Sequence, residues 1–198
     1  MAAQVWMPDI YNTMAGNAWR FEGVLDVDWE LCPNHYAKAF GRDSTRKITY
    51  VERMEALKTF ALQPLDPDFH KKVRRGDFLI GGDCTGYGHD HEHACIALRG
   101  AGIAAVLCEG TSINFHRNSI HNGLPVVTLN GIMSAVKTGD RLGVNLVEGW
   151  VKNVTTGKKL AFKPWPDFIL DIMRDGGLYP WIREELPRSL SDLAPTNS

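Results

Sequence analysis

The 198-residue chain has no surplus of either charge: 22 Lys and Arg stand against 23 Asp and Glu, a formal net charge of -1. Without a basic excess it has no electrostatic drive toward nucleic acid. No apolar run approaches the ~20 residues of a membrane-spanning helix. The opening residues, Met1 to Asp9, contain neither the basic stretch nor the apolar core of a secretory signal. A cytoplasmic, reduced setting is therefore expected. Cysteine is scarce. Cys32, Cys84, Cys95 and Cys108 include no C-x-x-C pair, which argues against a disulfide framework and leaves no close set of thiolates for an iron–sulfur cluster held by this chain alone. Each reads best as a buried structural cysteine. No internal repeat is visible.

What is present is ordinary globular material, 44% apolar and 23% charged, of a length that suits one domain. Histidine is the uneven residue. Five of the seven (His89, His91, His93, His116, His121) fall between positions 89 and 121.

Residues 1–18 read as an N-terminal arm of weak periodicity. Strand-like text starts at Trp19 and runs through Phe21, Val24, Leu25 and Val27, ending at Pro33. The polar stretch 37–47 reads as a mobile loop. Apolar residues at 51, 54, 57, 58, 61 and 62 have helical spacing. Asp66 with Pro67 suggests the cap and first residue of a short helix. From 78 to 129 the order is strand, glycine-rich loop, helix, strand, helix, strand, which is an α/β unit with parallel strands. Beyond Gly139 the period changes to three short strands within 141–162. A last helix over 167–175 is closed by Gly176 and Gly177, and a frayed tail follows from 189.

The chemistry concentrates in Gly81–His93, where a glycine-rich segment is followed by His89-Asp90-His91-Glu92-His93. A glycine loop entering a helix offers unpaired N–H groups to an anion. Gly82, Gly86 and Gly88 fit neither a dinucleotide nor a P-loop fingerprint. The histidines and Asp90 are also metal-ligand types. On a helix His89 and His93 share a face; on an extended segment positions 89, 91 and 93 share a side. Asp90 is in addition a plausible N-cap. His116, His121 and Arg117 lie on or beside the next helix and read as structural or surface residues.

Gly76–Ala94 (GDFLIGGDCTGYGHDHEHA) resembles the signature of the 3-isopropylmalate dehydratase small-subunit family, roughly GDxxxxGxNFGxGSSREHA, which corresponds to the swivelling domain of aconitase. The resemblance continues in Val27-Asp28 through Pro33, Leu65–Val73, Gly123-Leu124-Pro125, Gly139–Leu142 and Thr155–Lys158. It implies an α/β swivelling β/β/α domain, here placed at 19–188. It also implies a hydro-lyase small subunit that closes over a 4Fe-4S cluster on a separate large subunit, whose iron acts as Lewis acid on the hydroxyl of a small hydroxy acid. This chain itself is expected to bind no metal, and no nucleic-acid or membrane partner is implied.

The motif departs from the family where the chemistry lies. Gly88, Glu92, His93 and Ala94 follow the pattern, but His89, Asp90 and His91 replace the family's Ser-Ser-Arg. The first serine supplies the family's base, and the Ser-Arg pair grips a carboxylate. An imidazole can serve directly as a base near neutral pH, so His89 is the expected replacement, with Asp90 and His91 beside it. His91 loses the permanent bidentate fork of arginine, and Asp90 adds negative charge. The expected substrate therefore differs from isopropylmalate. Gly88, Tyr87 and Thr85 are expected at the substrate, with Arg42 and Arg46 of the polar loop as candidates to replace the lost arginine. Glu92 and His93 are expected as structural support. Two other readings remain: a non-catalytic binding module, and a stand-alone metal enzyme using the 89–93 cluster.

Overall fold

The computed structural model describes residues 6–39 and 48–192. In chain order the elements are β1 (Met14–Arg20), β2 (Leu25–Asp26), a single π-helical turn (Val27–Leu31), α1 (Asn34–Ala39), α2 (Tyr50–Leu57), α3 (Phe69–Lys72), β3 (Phe78–Gly81), β4 (Thr85–Tyr87), α4 (His93–Ala101), β5 (Ala105–Cys108), α5 (Ile113–His121), β6 (Val126–Thr128), α6 (Ile132–Ala135), β7 (Arg141–Asn145), β8 (Trp150–Asn153), β9 (Lys159–Ala161), α7 (Asp167–Arg174) and α8 (Leu178–Asp192).

Seven strands form one mixed sheet in the order β6-β5-β3-β1-β7-β8-β9. The half built by β6, β5, β3 and β1 is parallel, and the half from β1 through β7, β8 and β9 is antiparallel. The α/β unit expected over 78–129 and the three strands expected after Gly139 are both present. β3 and β5, in the middle of the parallel half, are buried at every position, as crossover helices require. Along β3, Leu79 packs with α2 and α4, whereas Phe78 and Ile80 face α6, α7 and the antiparallel strands. Val106 and Leu107 of β5 divide the same way.

Local chemistry sets the helix limits. Ser112 caps α5 by accepting the Phe115 N–H at 3.1 Å. Thr49 and Glu52 form a reciprocal capping box on α2. Gly102, at φ 99°, ends α4 in the left-handed conformation.

Four sequence expectations need correction. The arm expected over 1–18 contains most of β1, the central strand of the sheet, where Ala18 lies opposite Phe78 and Met14 opposite Val144. The segment after Trp19 is not one strand; it is the end of β1, the two-residue β2 and the π turn. Asp66 does not cap a helix. It accepts the Asp68 N–H at 3.1 Å within a turn, and α3 starts only at Phe69. The last helix is not 167–175, because α8 follows the two glycines and runs through Asp192, past the boundary expected at 188. The loop expected over 37–47 lies mostly outside the described residues.

One buried acid ties the sheet together. Asp77 is 2% exposed. Its carboxylate accepts from the backbone N–H of Asn17 and Arg74 and from the Trp19 indole, each at 2.9 Å. This pins the start of β3 to β1.

Candidate active site

A second, smaller pairing positions the histidine-rich loop. β2 and β4 run parallel, with Leu25 opposite Thr85 and Asp26 opposite Tyr87. Because the two chains advance side by side, the residues just past the ladder also meet: Asp28 on one, His89 and His91 on the other. Asp26 turns its own chain by accepting the Asp28 N–H at 2.7 Å, which starts the π turn. Its carboxylate also lies against Gly88, whose φ is 98°, and a side chain there would collide with it.

The centre of the arrangement is Asp28, whose side chain is 8% exposed. Oδ2 lies 3.0 Å from His89 Nδ1, and Oδ1 lies 2.8 Å from His91 Nδ1 and 3.6 Å from His93 Nε2. Asn34 Nδ2 donates to Oδ2 at 3.1 Å. The imidazoles stand in a row, with ring centroids 5.5 Å apart for His89 and His91 and 5.6 Å for His91 and His93. The alternative with 89, 91 and 93 on one side therefore describes the loop, since α4 begins only at His93.

Exposure separates the three rings. His89 is 74% exposed and His91 44%, whereas His93 is buried and its Nε2–H donates to the Cys32 carbonyl at 2.8 Å. Burial is the main cause that pushes the His93 pKa below the ordinary histidine value, against the opposing pull of the Cys32 carbonyl and the Asp28 charge. For His91, the carboxylate hydrogen-bonded at Nδ1 fixes the tautomer that donates from Nδ1 and leaves Nε2 as the free acceptor, whereas His89 Nδ1 stands 3.0 Å from the carboxylate without hydrogen-bond alignment.

The remaining sequence candidates scatter. Asp90 is exposed and points no contact at Asp28. Its backbone carbonyl accepts from Asn118 of α5 at 2.7 Å. It is not the cap of α4 either: Glu92 precedes that helix, without a side-chain cap bond. Tyr87 is 60% exposed at the end of β4. Thr85 is fully buried and its hydroxyl donates to the Gly82 carbonyl at 3.0 Å, so it faces the core and not the open side of the loop. Its N–H is spent on Gly110, which removes one donor from the expected anion cradle. Glu92 lies 3.8 Å from His121 Nδ1. His116 packs edge-on against Trp165. Arg42 and Arg46 lie outside the described residues.

Sequence reasoning gave no role to Asp28 or Asn34. The available signal was a carboxylate set between the apolar Val27 and Leu31, both of which are buried.

The thiols do not suit a cluster. Burial, with the Asp28 charge adding to it, pushes Cys32 up to about 12. Burial pushes Cys108 up to about 12 and raises Cys95 as well. These three stay protonated and inside the core, and Cys84 alone is exposed.

No family model matches the chain. It is 37% identical over 178 residues to the isopropylmalate/citramalate isomerase small subunit of Methanocaldococcus jannaschii, covering 90% of this chain and 98% of that one. It is also 37% identical over 178 residues to the 3-isopropylmalate dehydratase small subunit 1 of Methanopyrus kandleri, covering 90% and 97%. Among solved structures, the 3-isopropylmalate dehydratase chain from M. jannaschii superposes with a TM-score of 0.75 at 25% identity, over 91% of this chain and 99% of that one.

Proposed function

The chain belongs to the 3-isopropylmalate dehydratase small-subunit family, and from that premise we propose that it is the lid of a two-subunit hydro-lyase whose proton-moving base is His89. The observation that carries this reading is the placement of His89. Its Nδ1 stands 3.0 Å from a buried carboxylate while most of the ring is open to solvent.

The roles follow from the geometry. Asp28, 3.0 Å from His89 Nδ1, balances the positive ring formed when His89 takes a proton from the carbon beside a substrate carboxylate. His91, held by the same carboxylate, presents its own Nε2 beside that proton path and orients the substrate. His91 stands where the family has an arginine and lacks its permanent bidentate fork for a carboxylate, so the reading favours a hydroxy acid with fewer carboxylates than isopropylmalate, or with an altered group at that end. Tyr87 and Gly88 flank the open side.

This face is too exposed to exclude water by itself, and catalysis of this kind needs a covered site. A partner surface therefore completes it. The cysteines of this chain do not fit an iron–sulfur cluster, so in this reading the cluster sits on the large subunit, as it does for the family.

Turnover of a panel of hydroxy acids by the complex with its cluster-bearing large subunit tests the proposal. Preferred turnover of an acid other than isopropylmalate is expected. Isopropylmalate turnover at the rate of the relatives, with no better substrate in the panel, overturns it.

A further inference from the structure

Asp28 is a buried carboxylate, and among the described residues no lysine or arginine pairs with it. Its recorded side-chain partners are three imidazoles and one amide. A buried charge without a permanent counter-ion costs several kcal/mol unless something compensates it. Hydrogen bonds from His91 and Asn34 offset part of that cost, and a cation would offset the rest.

His91 Nδ1 spans both carboxylate oxygens, at 2.8 Å from Oδ1 and 3.1 Å from Oδ2. Oδ2 also faces His89 Nδ1 and accepts from Asn34. Oδ1 faces His91 Nδ1 at 2.8 Å and His93 Nε2 at 3.6 Å, and one ligand atom from each of Asp28, His91 and His93 lies within 4.8 Å of the others. In a tetrahedral site with bonds of about 2.0–2.1 Å, neighbouring ligand atoms stand about 3.3 Å apart. The Oδ1 pairs bracket that spacing, and the His91 and His93 nitrogens stand within 4.8 Å of each other, so the site closes by movement of the two rings. On metal binding the His91 proton would move from Nδ1 to Nε2, giving up the bond to Asp28, and the His93 proton from Nε2 to Nδ1, giving up the bond to the Cys32 carbonyl.

We propose that Asp28, His91 and His93 form a binding site for one divalent transition-metal ion of the Zn2+ type, contrary to the expectation that this chain binds no metal. Two imidazoles and one carboxylate, without thiolate, suit Zn2+ and its neighbours rather than Ca2+ or Mg2+. Three protein ligands leave a coordination position open, and the exposure of His89 and His91 puts that position on the solvent side. His89 stays on Oδ2, outside the coordination sphere, where it orients the carboxylate. The site needs only this chain, so it stands or falls separately from the hydro-lyase reading.

The test is titration of the metal-stripped full chain with Zn2+ by calorimetry, and with Co2+ followed by its visible absorption. One ion per chain is expected. His91→Ala, at a half-exposed residue, is expected to weaken Zn2+ by more than about a hundredfold while circular dichroism stays unchanged. His89→Ala is expected to weaken it by about tenfold, as removal of an outer partner does, and His116→Ala not at all. Absence of binding, or Zn2+ affinity unchanged by His91→Ala, overturns the proposal.

Discussion

Asp77 and Asp28 are both buried carboxylates that hold two chain segments together, yet their partners differ. Asp77 spends its oxygens on two backbone N–H groups and an indole, donors that never change charge and have nowhere else to go. Asp28 spends its oxygens on imidazoles that can move protons or bind metal, two of which reach solvent. The first arrangement joins β1 to β3 in the middle of the sheet. The second sits at the end of the two-stranded β2–β4 ladder. The contrast teaches how to tell a structural acid from a working one: the number of hydrogen bonds is similar, and the chemistry of the donors decides.

The largest expected effect is on Asp77. Asp77→Ala leaves three donors unsatisfied in the interior and is expected to cost at least about 3 kcal/mol of stability, read as a shift in the denaturant midpoint. Asp28→Asn is the matched experiment. It removes a buried charge that has no permanent counter-ion, and His89 and His91 can turn to water, so no stability loss of that size is expected, while the turnover of the complex should fall about a hundredfold in kcat with little change in KM. Equal stability losses at the two positions would erase the distinction between them.

A smaller effect sharpens the comparison from outside both sites. Burial against Trp165 pushes the His116 pKa below the ordinary histidine value. With the folded value depressed, its contribution to stability is present above about pH 6.5 and is lost as the pH falls below it. His116→Gln should remove that part of the acid sensitivity, measured as the difference in denaturant midpoint between pH 7.5 and pH 5.5, and should leave turnover at pH 7.5 unchanged.

Much of this was legible in the sequence, for reasons that also mark the limits. The parallel unit over 78–129 shows because each strand is a short apolar run closed by glycine or asparagine. β1 was hidden because its text, Met-Ala-Gly-Asn-Ala-Trp-Arg, is barely apolar. Its place comes from pairing with β3 on one side and β7 on the other. α8 was hidden by prolines 180 and 187, the first of which is tolerated in the opening turn of the helix. The histidine cluster was visible as a count and as a departure from the family pattern. Its partner Asp28 was not, because the two segments meet only through the register that sets Asp26 beside Tyr87. A register between distant segments is not written in either one alone.

The most direct measurement is the kcat of the His89→Ala small subunit assembled with its large subunit, compared with the unaltered complex on the same hydroxy acid. A fall of at least about a hundredfold, with assembly and cluster content unchanged, is the predicted result. Unchanged kcat in an intact complex would contradict it and make this loop a binding element instead of a catalytic one.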